Sequence, residues 1–164
     1  MPPALVSPTV QAIADQLTAR GETVAVAESS TAGLISASLL AVPGASAYYR
    51  GGSVVYTLES RKQLLGITRA DVEGLEPLTE AMVLRFAEIA RAQLDATWGV
   101  AELGVAGPTG ARYGHPPGIS VLAVVGPREL STTVATGSDD REQNMWAFAE
   151  SALALLLAAV QAAP

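Results

Sequence analysis

The chain of 164 residues contains no cysteine and one histidine, His115. Without thiols there is no disulfide, no thiolate nucleophile, no thiolate metal site and no redox switch. One histidine cannot build a histidine metal cluster, and a serine triad would have to rest on His115 alone. No metal site and no cofactor are expected. Basic residues are also scarce, ten against sixteen acidic ones, for a formal charge of −6 and a pI near 4.7. That balance opposes nucleic-acid binding, whose footprint is a basic patch. The N-terminus lacks the charged start and apolar run of a signal peptide. The longest apolar run, residues 152–160, is far short of the ~20 residues that a membrane helix needs. The expectation is therefore a cytoplasmic protein with neither a membrane nor a nucleic-acid partner.

Charged residues make up only 16% of the chain and hydrophobic ones 49%. Such a sequence can bury a sizeable core, which excludes intrinsic disorder. Its length fits one domain over residues 1–164. Aromatic residues are few, 5%, so small-residue packing between helices and a sheet is expected.

Ser7, Pro8 and Thr9 precede a run with Val10, Ile13, Ala14 and Leu17 on one face, and Gly21 follows it. This predicts a first helix with a polar start and a glycine stop. Residues 23–27 read as a β-branched strand, 31–42 as a helix ended by Pro43-Gly44, and 52–56 as a second strand. The charged segment 59–65, closed by Gly66, reads as a short helix. Thr79 caps an amphipathic helix that buries Met82, Val83, Phe86, Ile89, Ala90 and Leu94. Residues 99–105, 119–125 and 130–135 read as strands, and Asp139 or Asp140 starts a last helix reaching about Val160. Alternating strands and helices imply a sheet covered on both faces. Only residues 126–129 separate the last two strands, so they form a hairpin and the sheet is mixed. The expected fold is a three-layer α/β/α sandwich with a mixed, mostly parallel sheet of about five or six strands. The last helix carries Ala152, Leu153, Leu155, Leu156, Leu157 and Val160 with almost no polar stripe, which predicts burial on more than one face and contact with another subunit.

In open α/β sheets ligands collect where strand ends meet helix starts. The first such place is Ala27-Glu28-Ser29-Ser30-Thr31-Ala32-Gly33. Unpaired amides at a helix start suit a phosphate or an oxyanion, and a serine hydroxyl there can act as a nucleophile. The same three hydroxyl residues can instead serve only as an N-cap. The second is Gly104-Val105-Ala106-Gly107-Pro108-Thr109-Gly110, whose glycines allow close backbone approach to a ligand. It has neither the Lys-Ser/Thr ending of a P-loop nor a G-x-G-x-x-G pattern. Arg112 and His115 follow it and can meet an anion, though a lone loop histidine is more often solvated. The third is Tyr56-Thr57-Leu58-Glu59-Ser60-Arg61-Lys62, whose two cations can pair with a phosphate, activate a hydroxyl, or lie on a solvated helix face.

Together these segments resemble the CinA C-terminal domain family. Its A-E-S-C-T-G-G pattern is matched by residues 27–33, and V-P-G-x-S by Val42-Pro43-Gly44-Ala45-Ser46. Y-S-N-E-A-K…L-G corresponds to Tyr56-Thr57-Leu58-Glu59-Ser60-Arg61 and then Leu65-Gly66. G-I-A-G-P-x-G matches Gly104 to Gly110, P-x-G-x-V has its counterpart in Pro116-Pro117-Gly118-Ile119-Ser120-Val121, and G-D-R-E has its counterpart in Asp140-Arg141-Glu142. The resemblance implies a three-layer α/β/α domain, usually a homo-oligomer, that hydrolyses the carboxamide of nicotinamide mononucleotide to the acid and ammonia. It places the nucleophile at Ser29 and the general base at Arg61, where the family has lysine. Leu58 replaces asparagine, Ser30 cysteine and Ala32 glycine.

Arginine stays protonated in proteins, so the proton transfer passes to Lys62, or to a water held by Glu28 or Tyr56. Helix-start amides near Ser30 and Thr31 would hold the oxyanion. The expected substrate contacts are Glu28, Ser30, Thr31 and Gly33 in the first segment. In the second they are Gly104, Ala106, Gly107, Thr109 and Gly110, with Arg112, and Arg61 grips the phosphate. The alternative is a catalytically silent nucleotide-binding module in which Arg61 is a fixed phosphate ligand. A weaker third reading is an oligomerisation scaffold built through the last helix.

Overall fold

A computed structural model describes residues 3–164. The first helix, α1 (Pro8–Arg20), starts where Ser7 accepts a hydrogen bond from the Val10 amide. It ends at Gly21 in the left-handed conformation, φ 65°. Strand β1 (Val24–Glu28) is buried along its whole length. Helix α2 (Leu34–Leu40) follows, then β2 (Tyr49–Val54), α3 (Leu58–Leu65) and α4 (Glu80–Gln93). The chain closes with β3 (Trp98–Val105), the hairpin β4 (Ile119–Val125) and β5 (Leu130–Ala135), and α5 (Arg141–Ala162).

The five strands lie in the order β2-β1-β3-β4-β5. β1 pairs in parallel with β2 and β3, while β4 runs antiparallel to both of its neighbours. Four strands therefore point one way and β4 opposes them, as the short hairpin requires. On one face α1, α2 and α5 pack Ile13, Leu17, Ile35, Leu39, Leu156 and Val160 against Val24, Val26, Trp98 and Val100. On the other, α4 packs Val83, Phe86 and Ala87 against Ala27, Ala101, Val121 and Ala123. Successive strand residues point to opposite faces, so Glu28 and Glu102 fall on the α1/α2/α5 face, side by side in register at the ends of β1 and β3.

Three expectations need correction. Helix α2 begins at Leu34 and not Thr31, because Ala32 (φ 52°) and Gly33 (φ 100°) are left-handed and hold residues 29–33 in turns. Strand β2 occupies 49–54 and not 52–56. Gly51 and Gly52 look like a break in the sequence, yet both pair with β1. A Cβ on Gly52 would sit 2.8 Å from the Val26 carbonyl oxygen, so only glycine fits. The last helix starts after Asp140 as expected, but judging it by the 152–160 run alone understated it: by length and composition Arg141–Ala162 could cross a membrane. It packs instead on the sheet, with Phe148, Ala152, Leu156 and Val160 wholly buried and Leu155 and Leu157 half-buried. Glu150, Ala154, Ala158 and Gln161 form an exposed stripe along it.

The seat of α4 on β3 depends on Gly99. A Cβ there would lie 2.2 Å from the Ala87 carbonyl oxygen and 2.7 Å from the Arg91 Cβ. Gly99→Ala is expected to destabilise the fold by roughly 1–3 kcal/mol, the usual cost of overpacking. Urea unfolding reads this directly; an unchanged midpoint would show that α4 does not rest there.

Candidate functional site

The ends of β1, β2 and β3 and the start of α5 converge on one edge of the sheet, around a cavity of about 570 Å³. Ser29 and Ser30 come from the end of β1, and Tyr56 and Arg61 from the end of β2 and from α3. Gly104, Ala106, Gly107, Thr109, Gly110 and Arg112 come from the segment after β3, and Arg141 from α5. All of these except Arg141 were expected from the sequence. Arg61, Arg112 and Arg141 line the cavity, and among the described residues no carboxylate does. The chain carries a net charge of −6, yet this cavity is electropositive. A second cavity of about 600 Å³ adjoins it, sharing Leu58, Arg61, Gly104 and Tyr113.

Four expected residues lie elsewhere. Glu28 is wholly buried, and its carboxylate accepts from the Ile35 and Ser36 amides, 3.1 and 3.0 Å away. Thr31 is wholly buried too, its hydroxyl 2.7 Å from Glu28 and 2.9 Å from Glu102. Gly33 supplies the left-handed turn before α2 and lines neither cavity. Lys62 is exposed and faces the adjoining cavity, not the serines, because neighbouring helix positions diverge by about 100°. His115 also stays out; its ring packs edge-on against Tyr113 with centroids 5.7 Å apart.

The helix-start amides are occupied as well. Ser29 and Thr31 donate their N–H groups to Glu102 Oε1 at 3.0 and 2.9 Å. The oxyanion role expected for the Thr31 amide is therefore unsupported: a buried carboxylate already holds it. Ser30 donates its hydroxyl to Glu102 Oε2, which also meets the Ser120 hydroxyl at 3.3 Å. Among the described residues Ser29 Oγ has no hydrogen-bond partner. Burial raises the proton affinity of Glu102 above that of an ordinary carboxylate, while the bonds from Ser30, Thr31 and Ser29 act in the opposite sense. Sequence reasoning missed Glu102. Its signal was an acid inside Val100-Ala101-Glu102-Leu103, a stretch otherwise apolar.

Arg61 is half-buried, its Nε 3.3 Å from the Val55 carbonyl oxygen and its guanidinium 5.3 Å from the centre of the Phe86 ring. Burial lowers its proton affinity, against the opposing influence of Tyr113 and Glu102, but a guanidinium remains a cation in proteins. Arg141, also missed, donates to the Gly107 carbonyl and, at 3.2 Å, to the Tyr56 hydroxyl. Its signal was the Asp-Arg-Glu match at the start of the last helix. Asn144 fixes the glycine segment by donating to the Ala106 carbonyl at 2.8 Å. The fold itself also requires these glycines: a Cβ on Gly107 or Gly110 would strike the Asp139 or His115 carbonyl oxygen.

The protein is thus a mixed, open α/β sheet with a cavity lined by serines and arginines at its strand ends, where proteins of this fold class gather their ligands. Residues 7–160 match the family model of the CinA C-terminal domain, and the chain belongs to that family. It is 37% identical over 146 residues to a CinA-like protein of Anaeromyxobacter dehalogenans (strain 2CP-1), covering 89% of this chain and 36% of that one. It is 42% identical over 115 residues to a CinA-like protein of Prochlorococcus marinus (strain MIT 9313), covering 70% and 27%. The chain thus spans about a third of the length of these relatives. Among solved structures, the competence/damage inducible protein CihA of Agrobacterium tumefaciens superposes with a TM-score of 0.86 at 28% identity, covering 96% of this chain and 97% of that one. The competence damage-inducible protein A of Klebsiella pneumoniae gives 0.86 at 26%, covering 94% and 96%.

The folded protein binds a proton at Glu102 more tightly than the ordinary value of 4.5. The stability this carboxyl contributes is therefore fully present below pH 4.5 and is lost as the pH rises through its folded value. In Glu102→Gln this slope disappears. Urea midpoints measured from pH 4 to pH 8 should show wild type weakening relative to the variant as the pH rises. A difference independent of pH would mean that Glu102 folds with its ordinary proton affinity.

Proposed function

We propose that the chain is an amidohydrolase of a nicotinamide nucleotide, converting nicotinamide mononucleotide to the acid and ammonia through a serine hydroxyl. The observation that carries this reading is the cavity itself, with two serines and three arginines among its walls and, among the described residues, no acid. Its volume, about 570 Å³, is in the range that holds a small ligand. The arginines match a phosphate, which an arginine fork binds in two places at once. The serines stand on the opposite contribution, from β1, where the carboxamide end of a phosphate-anchored nucleotide can meet them. Membership of the CinA C-terminal domain family agrees with this reading.

A second reading is favoured by Arg61. Where the family pattern has a lysine able to act as a base, this chain has a permanent cation. A module that binds the nucleotide without hydrolysing it would keep such a site.

Purified protein incubated with nicotinamide mononucleotide should release ammonia and nicotinic acid mononucleotide in equal amounts. Arg61→Ala should weaken nucleotide binding by about 1.5–3 kcal/mol, the range for a hydrogen bond to a charged group, or about 10–150-fold. Lys62→Ala should leave turnover unchanged, because that side chain faces the adjoining cavity. Calorimetric binding with no ammonia would establish the second reading, and absence of both would end the nucleotide assignment.

A further inference from the structure

We propose that Ser30, and not Ser29, is the hydroxyl this site activates, with Glu102 as the base that takes its proton; this rests on the amide-hydrolysis reading above. Glu102 is a charged residue with no exposure, placed at the end of a central strand. A capping role would need only its Oε1, which receives the amides of Ser29 and Thr31. Its Oε2 instead receives the Ser30 hydroxyl, with Ser120 behind it. Ser29 Oγ has no such acceptor among the described residues. Of the cavity's side chains, the arginines cannot take a proton, and the Tyr56 hydroxyl is tied to Arg141. Among the described residues, Ser30 is the cavity serine whose hydroxyl donates to a carboxylate.

Gly104 leaves the room in which that pair meets. A Cβ at this position would lie 2.6 Å from Ser30 Oγ and 2.9 Å from Glu102 Oε2, so any larger residue would collide with both. Gly104 and Ser30 both line the cavity. Burial raises the proton affinity of Glu102, the direction that suits a base working near neutral pH. Arg61 lines the same cavity and feels the charge of Glu102.

The chemistry balances on these groups. Ser30 Oγ bonds to the carboxamide carbon while its proton passes to Glu102 Oε2 and negative charge moves to the carbonyl oxygen. Collapse breaks the C–N bond, and the proton on Oε2 leaves with the nitrogen as ammonia. That nitrogen shares a carbon with Ser30 Oγ and so lies beside the proton. Water then adds to the Ser30 ester and gives a proton to Oε2. Breaking the C–Oγ bond returns the proton to Ser30 and frees the acid. One water is consumed, and one acid and one ammonia are released.

The test uses diisopropyl fluorophosphate, which modifies activated serines, with the labelled position read by peptide fragmentation. Wild type should carry the label on Ser30. Ser30→Ala should lose it, and Glu102→Gln should slow labelling by ~10²–10⁴-fold, the usual contribution of a base. The glutamine carbonyl can still accept the Ser29 and Thr31 amides, and thermal unfolding of the variant checks that it does. Label on Ser29, label on neither serine, or unchanged labelling of a folded Glu102→Gln overturns the proposal. Where Glu102→Gln does not fold, the position of the label in wild type decides. The reagent is not a nucleotide. A protein labelled on Ser30 that releases no ammonia from nicotinamide mononucleotide therefore keeps the Ser30–Glu102 pair and discards the substrate.

Discussion

Two glutamates, buried side by side at the ends of adjacent parallel strands, organise the functional edge of this protein. Glu28 and Glu102 are in register, and neither meets water. Two buried carboxyls are costly unless hydrogen-bonded, and the turn between β1 and α2 supplies the donors. Glu28 takes the Ile35 and Ser36 amides, and Glu102 takes those of Ser29 and Thr31. The Thr31 hydroxyl bridges them. The donors that a helix start normally leaves open are thereby used inside the protein. What this turn presents to the cavity is Ser29 and Ser30.

The opposite side of the cavity is built by cations. Arg61 lies over Phe86 and reaches the Val55 carbonyl; Arg141 joins the Gly107 carbonyl to the Tyr56 hydroxyl. These contacts fix the guanidinium groups before any ligand arrives, which reduces the ordering cost of binding. In an acidic chain, a cavity walled by arginine and no acid among the described residues is a local inversion of charge. It attracts an anion while the remaining surface repels one.

Alternation along a strand explains why an acid in β3 escaped the sequence reading. Trp98, Val100 and Glu102 share one face, and two large apolar residues made the third position look like core. Only pairing with β1 shows that Glu102 stands next to Glu28 and under the Ser29–Thr31 turn. The displaced β2 has a similar cause. Tyr49-Arg50-Gly51-Gly52 carries no β-branched residue, but β1 offers an open edge and α2 lies against Gly52, so tertiary contact overrides local preference. Lys62 and Arg61 are adjacent in sequence and both line the adjoining cavity, but only Arg61 also reaches the cavity of the serines, a distinction made by the helical phase of α3.

By itself the sequence determined the layer order, the hairpin, the three segments that form the site, and most of the residues that line it. Each of these depends on local periodicity, on caps such as Ser7 and Thr79, or on glycine stops, and such signals act over a few residues. Only the tertiary structure decided which amides remain free, which lysine or arginine reaches the serines, and where the serine protons can go. Those outcomes depend on groups about seventy residues apart, Ser30 and Glu102 above all, which meet because parallel pairing sets β1 beside β3.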